Sequence, residues 1–285
     1  MNTILAAAAA VTGARHHRAA HNGQDAAATW VGDGAGAVVV CDGCGAGDSS
    51  EVGARLGAQL VIGAVAARLR GGERPRALWS GVREQVVATL GHLVEAMPVD
   101  RAAAIHDYFL FTIVAAAVAG DEACVWAIGD GAYVFSPCES PSAIPSASRM
   151  GGPDRPDRSC VPDRPSALPP VIAPPGMRVL GPFADNQPPY LGYDLLGMPA
   201  TAHVEAWHAR AGQIVVATDG VMDLALDGLL DGRDPRLLGH PDGLRRWLAV
   251  RARGGERIDW DARRVDRTPA ALQDDGAVAV LGWAP

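Results

Sequence analysis

Three aspartates of the sequence stand at the tips of predicted strands, where their carboxylates could together hold a cation. Each lies beside a run of small and β-branched apolar residues; the three are Asp42, Asp219 and Asp274. A carboxylate at the end of a buried strand is unfavourable unless a nearby group compensates its charge. Carboxylate oxygens suit Mg²⁺ or Mn²⁺ and suit Zn²⁺ poorly. If the fold gathers the three tips, they form an oxygen-only site for a divalent cation.

The alternative is that these aspartates belong to independent turns. Asp-Gly occurs eight times, with the aspartate at positions 33, 42, 130, 219, 227, 231, 242 and 275. Asp-Gly is a strong signal for a tight hairpin turn. From spacing alone, both interpretations stay open.

Two other chemistries fit the glycine-rich loop 43–47 less well. A dinucleotide-binding loop would need glycine at position 48, where Asp48 would repel the pyrophosphate. Cys41 and Cys44 form a single CxxC with no second pair, and Cys41 falls in a predicted strand, so a zinc or redox site is disfavoured.

The predicted elements favour an α+β fold with antiparallel sheets. Strands are predicted at 37–41, 109–114, 123–128, 132–135, 202–207, 213–217 and 277–281. Helices are predicted after an N-cap at Ser49, from about 75 to 97, from Asp100, and in a region ending near 253. The first should bury Val52, Leu56, Leu60 and Val61, and the second Leu78, Val82, Val86, Leu90 and Leu93. Strands in adjacent pairs and helices in blocks are typical of layered α+β folds.

Composition indicates a soluble protein with a sizeable core in one domain spanning 1–285. The net charge of −7 argues against nucleic acid or an anionic membrane as partner. No apolar run approaches the roughly 20 residues that span a bilayer. Five cysteines, an odd number, indicate reduced thiols and a cytoplasmic location. The segment 136–176 is rich in Pro, Ser, Arg and Asp, which predicts a disordered insertion.

The order of five short motifs resembles the metal-dependent protein phosphatases of type 2C (the PPM family). The motifs are Gln24-Asp25-Ala26, Val38-Val-Val-Cys-Asp42-Gly43, Gly129-Asp130, Ala217-Thr-Asp219-Gly220 and Asp274-Asp275. The first matches in part, because Gly23 stands where the family motif has asparagine. The segment from Asp185 to Leu191 is similar to a bacterial branch of the family.

The resemblance implies a sandwich of two antiparallel sheets flanked by helices, with a site for two Mn²⁺ or Mg²⁺ ions. Asp42 would bridge both ions, and the carbonyl of Gly43 would hold one of them. Asp219 and Asp274 would bind the second. By the same resemblance Gln24 and Asp25 would act through metal-bound water, and Asp130 matches a position for a third, weaker ion, although a turn aspartate is an equal alternative there.

The activity that the resemblance implies is hydrolysis of phosphoserine and phosphothreonine in proteins by a metal-activated water, opposing a protein kinase. The family's leaving-group histidine is absent, since Cys44 follows Gly43. For phosphate binding we consider Arg18 in the basic stretch that also holds Arg15, His16, His17 and His21. The alternative is a non-catalytic phosphatase-like domain that binds a partner; retention of the strand-tip aspartates favours catalysis.

Overall fold

The computed structural model describes residues 3–32, 34–137, 177–208, 211–222, 224, 240 and 242–283. The strands are β1 Ile4–Val11, β2 Asp25–Gly32, β3 Ala35–Asp42, β4 Ile113–Ala119, β5 Glu122–Ile128, β6 Gly131–Pro137, β7 Met177–Leu180, β8 His203–Trp207, β9 Ala211–Ala217, β10 Gly255–Asp259, β11 Arg264–Thr268 and β12 Gly276–Trp283. The helices are α1 Ala14–Ala19, α2 Ser50–Arg70, α3 Trp79–Ala96, α4 Arg101–Tyr108, α5 Asp219–Met222 and α6 Gly243–Arg251, with 3₁₀ turns at Ala184–Asn186 and Leu191–Leu196.

Two five-stranded sheets form the centre of the fold. One has the order β1-β12-β9-β6-β7 and the other β2-β3-β4-β5-β8, while β10 and β11 form a separate hairpin. Every strand pair within them is antiparallel. The α+β sandwich expected from the sequence is therefore confirmed.

Strand β3 shows how the layers are held together. Val38 and Val40 point into the apolar layer between the two sheets. Val39 and Cys41, on the other face, pack into the layer formed with α2, α3 and α4. Because side chains alternate along a strand, a continuous apolar run is what a strand buried on both faces requires. This burial fixes the position of Asp42 at its end.

Helix α2 buries only part of the predicted face: Val61 is buried and Leu60 packs against the core. Val52 and Leu56 are 39% and 38% exposed. The buried face instead carries Gly53 and Gly57, where an added Cβ would meet the Tyr108 carbonyl oxygen and the Phe111 ring. Glycine lets the helix approach its neighbours closely, and hydrophobic periodicity cannot register a residue that has no side chain. Among the described helices α2 alone is long and apolar enough to span a membrane, but 56% of that stretch is buried inside the protein.

Helices α3 and α4 agree closely with the sequence analysis. The predicted apolar face of α3 is buried except for Leu93, which is 38% exposed. The Asp100 side chain caps α4 by accepting hydrogen bonds from the backbone N–H groups of Ala102 and Ala103, at 2.9 and 3.1 Å. The strand predicted at 109–114 begins only at Ile113 and runs on to Ala119.

Several strands were missed because their composition does not favour extended structure. β1 reads Ile-Leu-Ala-Ala-Ala-Ala-Ala-Val, and β2 also contains three consecutive alanines. Alanine has weak strand propensity, so β1 is set by its eight-residue pairing with β12. The short strand β7 and the exposed hairpin β10–β11 were likewise not predicted.

Strands β6 and β7 lie at one side of the first sheet. They pair antiparallel, from Gly131 opposite Leu180 to Val134 opposite Met177. The predicted insertion therefore departs from the end of β6 remote from Asp130. Ser136 and Pro137 belong to β6; residues 138–176 lie outside the described residues.

Candidate active site

All seven candidate metal ligands line one cavity of about 510 Å³. They are Gln24, Asp25, Asp42, Gly43, Asp130, Asp219 and Asp274. They come from β2, β3, the β5–β6 turn, the start of α5 and the loop before β12. The strand tips are thus brought together at the end of the sandwich, as the clustering interpretation requires.

Backbone pairing places Asp25 and Asp42 side by side. The two residues are directly opposite each other in the β2–β3 ladder. Beyond the last pair, the Gly43 N–H donates to the Gln24 carbonyl at 3.2 Å, and the Thr112 N–H donates to the Asp42 carbonyl at 2.8 Å. The ladder therefore continues into the loop and holds both aspartates at the cavity.

Thr218 connects this pair to the other sheet. Its hydroxyl donates to Asp25 Oδ2 at 2.6 Å and accepts from the Ala277 N–H at 2.9 Å. The Thr218 N–H in turn donates to the Ala277 carbonyl at 3.0 Å. These bonds tie the ends of β9 and β12 to β2, and so set the position of Asp219 at the first residue of α5.

Asp275 is a structural centre to which the sequence analysis assigned no role as a ligand. It is 4% exposed. Its carboxylate accepts from the Gly13 N–H at 2.8 Å, from His16 Nδ1 at 2.7 Å and from the Gln24 N–H at 2.6 Å. These contacts fix the entry to α1 and the start of β2 against the loop before β12. The sequence signal for this role was the doubled aspartate Asp274-Asp275. Because only one of the two carboxylates has to face the cation, the other can make structural contacts.

Two glycines let neighbouring segments pack against that loop. A Cβ at Gly13 would lie 2.0 Å from the Asp274 carbonyl oxygen, and one at Gly220 would lie 1.9 Å from the Asp275 carbonyl oxygen. Real side chains are excluded at such distances. The first turns of α1 and α5 therefore lie directly on the backbone that carries Asp274.

Burial dominates the electrostatics of Asp25 and Asp42, and the charges of neighbouring aspartates raise both pKa values further. Burial raises the pKa of Asp25 to about 7, against the lowering effect of the Thr218 hydroxyl and with further raising by the charge of Asp275. Burial also raises the pKa of Asp42 well above its usual range, followed in effect by the charges of Asp25 and Asp219. The two side chains are in hydrogen-bond contact. Two carboxyl groups in such contact share a proton unless a cation replaces it.

Asp130 and Asp219 extend the same negative region toward solvent. Burial, and then the charge of Asp219, raise the pKa of Asp130 to about 6. Asp219 itself is exposed. Asp274 is half-exposed and forms an ion pair with Arg15. Exposure in the cluster therefore increases from Asp25 and Asp42 at the base of the cavity to Asp219 and Asp274 at its rim.

The donor set of this cavity fits a hard divalent cation. Among the described residues, no arginine or histidine forms an ion pair with Asp25 or Asp42. Among the described hydrogen bonds, the Asp25 carboxylate accepts one from the Thr218 hydroxyl, so further oxygen lone pairs can serve a cation. Carboxylate oxygens with a backbone carbonyl are the ligands that Mg²⁺ and Mn²⁺ prefer.

The structure places Arg18 away from this cavity, contrary to its expected role beside the phosphate. Arg18 lines a separate cavity and donates only a long hydrogen bond of 3.5 Å to the Gln273 side chain. Arg15, His16 and His21 line the acidic cavity instead. Sequence order alone could not distinguish these residues, because all belong to one short stretch. The helical turn of α1 directs neighbouring residues to different cavities.

The remaining wall contains residues with no role assigned from the sequence. The segment that resembles the bacterial branch contributes Pro188 and Tyr190. Cys44 and Thr112 complete this side of the cavity. The cavity thus has an apolar flank next to its acidic base.

Comparison with known proteins agrees with this architecture. The family model for protein phosphatase 2C matches residues 12–150, just under half of the chain. This range contains three of the five motifs, those at Gln24, Asp42 and Asp130. No curated protein matches the sequence.

Solved structures with the same fold cover essentially the whole chain. The serine/threonine phosphatase Stp1 from Staphylococcus aureus has a TM-score of 0.55 at 13% identity, covering 100% of this chain and 97% of that one. The Mycobacterium tuberculosis phosphatase PstP/Ppp has a TM-score of 0.54 at 14% identity, covering 98% of each chain. The catalytic domain of the phosphatase PstP, solved with two manganese ions, has a TM-score of 0.51 at 14% identity, covering 100% of each chain. At these identities the likeness shows the fold.

Residues 12–150 therefore match the family model for protein phosphatase 2C, and the fold of the chain is similar to that of the solved serine/threonine phosphatases Stp1 and PstP.

Proposed function

We propose that this protein is a metal-dependent phosphatase that hydrolyses phosphoserine and phosphothreonine in other proteins. The observation that carries the proposal is the single cavity that gathers aspartates from both sheets around the buried pair Asp25–Asp42. A purely structural cluster would be expected to pair these acids with arginine. The match of residues 12–150 to the protein phosphatase 2C family model supports the reaction class.

The cations would be held mainly by Asp42, with the Gly43 carbonyl, Asp219 and Asp274 as further ligands. We propose two ions, as in the PstP structure with manganese, and a weaker third at Asp130. When bound, such ions supply an activated water and neutralise charge on the phosphoryl group. The buried Asp25 would orient this water, held by its contact with Thr218.

Arg15 and His16 are the groups placed to receive the phosphate. Both line the cavity, and Arg15 lies at its exposed rim. Guanidinium groups bind phosphate through paired, charge-assisted hydrogen bonds. The Asp275 carboxylate holds Nδ1 of His16, which leaves Nε2 as the nitrogen free to contact substrate. We propose Arg15, in place of Arg18, as the principal phosphate ligand.

The physiological setting follows from this activity. We propose that the substrate is a phosphoprotein and that the enzyme opposes a serine/threonine kinase, in a bacterial cytoplasm. The described cysteines Cys41, Cys44 and Cys124 are unpaired, which is usual for a reducing compartment.

Turnover of a small ester and a phosphopeptide tests the proposal. The purified protein is assayed on p-nitrophenyl phosphate and on a phosphothreonine peptide with Mn²⁺, with Mg²⁺ and with chelator. We expect activity with either metal and none with chelator. Asp42→Asn should reduce kcat by at least about a hundredfold, because loss of a transition-state electrostatic contact typically has that size. The matched control Asp121→Asn changes an exposed turn aspartate outside the cavity and should retain full activity.

Two outcomes would contradict the proposal. Undiminished turnover in chelator would exclude the metal-dependent mechanism. Metal binding by thermal shift with no turnover of any ester would instead support a non-catalytic phosphatase-like domain.

A further inference from the structure

A second cavity of about 640 Å³ lies on the other side of α1 and has a basic lining. Its polar residues are Thr12, His17, Arg18, Arg245 and Arg253, and its walls otherwise consist of Val11, Ala14, Ala249, Ala252 and Gly254. No carboxylate is among these described lining residues. A concentration of arginines is notable in a chain with a net charge of −7.

The charges of this cavity are only partly compensated. Arg245 is bound to Asp242 through two hydrogen bonds. Arg18 contacts only the neutral Gln273 side chain. Arg253 forms no ion pair with any described carboxylate. Two guanidinium groups therefore stand beside apolar walls with their positive charge available, and such walls strengthen attraction for an anion.

Helix α1 separates this cavity from the active site. The residues that line the basic cavity are Ala14, His17 and Arg18, spaced three and four apart. The residues of α1 that line the acidic cavity are Arg15, His16 and Ala19, with the same spacing. Residues spaced in this way share one helix face, so the two cavities occupy opposite faces of one short helix.

The width of that helix sets the distance between the two sites. A helix with its side chains is about 10 Å across. An extended peptide advances about 3.3 Å per residue, so roughly three or four residues bridge this distance. A peptide with its phosphoserine in the active site would place a residue three or four positions away at the basic cavity.

We propose that the basic cavity binds a second anionic side chain of the phosphoprotein substrate, three or four residues from the phosphorylated one. The inference rests on the proposed phosphatase activity, because that activity identifies the ligand as a substrate. The binding of an anion is argued from the residues of the cavity alone. Arginine binds both carboxylate and phosphate, the latter with three oxygens. Acidic or multiply phosphorylated segments are therefore the preferred substrate class.

Matched peptides test this specificity. Each fluorescent peptide carries a non-hydrolysable phosphonate analogue of phosphoserine, with alanine, glutamate or phosphoserine at positions three and four on one side or the other. Equilibrium binding is measured in Mn²⁺ by fluorescence anisotropy for the wild type, Arg253→Glu and Arg257→Glu. Arg257 is an exposed arginine of the β10–β11 hairpin that lines neither cavity, and so is the charge-matched control.

With glutamate on one of the two sides of the phosphoserine analogue, we expect the wild type to bind the peptide about threefold to tenfold more tightly than the matching alanine peptide. This range corresponds to one or two exposed ion pairs. Phosphoserine should give an equal or larger preference, and both should weaken as salt is raised. Arg253→Glu should remove the preference, and Arg257→Glu should keep it. Equal binding of all peptides by the wild type, or an undiminished preference in Arg253→Glu, would overturn the inference.

Turnover of p-nitrophenyl phosphate separates the two proposals, because this substrate is too short to reach the basic cavity. Turnover without any peptide preference would refute the second site and leave the proposed function standing. A peptide preference lost in Arg253→Glu, with no turnover of any ester, would refute the phosphatase activity and leave the anionic binding site.

Discussion

Replacing Asp25 by asparagine should stabilise the metal-free protein at neutral and alkaline pH. Asparagine is nearly the same size, and its Oδ1 can accept the hydrogen bond from the Thr218 hydroxyl that Asp25 Oδ2 now accepts at 2.6 Å. Its Nδ2 can donate to Asp42, with which Asp25 is in hydrogen-bond contact. The substitution therefore keeps the contacts of the protonated acid and removes the buried charge.

The sign and size follow from the pKa of Asp25, which burial raises to about 7 from 3.8. Between these values the folded protein retains a proton that the unfolded chain has released, so stability falls as pH rises from about 4 to 7 and stays low above that. At about 1.4 kcal/mol for each pKa unit, the charge costs about 4 kcal/mol at pH 8. A change of that size shifts the melting temperature by roughly ten degrees in a chain of this length.

The assay is a thermal melt of the wild type, Asp25→Asn and the control Asp121→Asn, each in chelator and in Mn²⁺, from pH 5 to pH 8. In chelator at pH 8 the Asp25→Asn protein should melt several degrees or more above the wild type, and the difference should shrink toward pH 5. Mn²⁺ should raise the melting temperature of the wild type more than that of Asp25→Asn. A destabilised Asp25→Asn protein in chelator at pH 8, or a pH-independent difference, would refute the argument that a buried charge is relieved.

Three further predictions concern Asp219, Arg15 and a pair of glycines on α2. Asp219→Asn should also raise the melting temperature in chelator, but by only a few degrees, since Asp219 is exposed; calorimetry that found no change, or a loss, would contradict its place in the repelling cluster. Arg15→Ala should raise KM for p-nitrophenyl phosphate about tenfold, the value of one charge-assisted contact, with a smaller effect on kcat; an unchanged KM would remove Arg15 from phosphate binding. On α2, Gly53→Ala should destabilise the fold by more than about 2 kcal/mol because its Cβ would lie 1.8 Å from the Tyr108 carbonyl oxygen. Gly63→Ala, open to solvent on the same helix, should stabilise the fold by about 1 kcal/mol; urea denaturation of both variants checks the contrast.

The sequence predicted the gathering of the strand-tip aspartates better than it predicted some of the strands around them. Asp42 and Asp219 follow strongly apolar strands, and such strands must be buried, so the positions of their tips followed from composition. The alanine-rich strand β1 carried no comparable signal. Its extended conformation depends on a partner strand more than two hundred residues away in the chain, which no local pattern contains.

The roles of individual acids depended on contacts that spacing could not show. Asp25 was expected to act at a distance through water, yet its carboxylate is the most deeply buried of the candidate ligands. Asp275 was indistinguishable from a turn residue until its three hydrogen-bond partners were seen. In both cases the role of the aspartate depends on which segment of the other sheet lies next to it. That neighbour is determined only by the packing of the two sheets.

The pairing of β6 with β7 has a consequence for how this protein can change over evolutionary time. Asp130 precedes the first residue of β6, whereas the chain departs after Pro137 and rejoins the sheet at Met177. Seven strand residues, roughly 20 Å at about 3.3 Å each, separate the acidic cavity from this point of exit. Because the β6–β7 register already fixes both ends, sequence can be gained or lost between them without moving a carboxylate. The fold thus provides a position at which the length of the chain can vary independently of its chemistry.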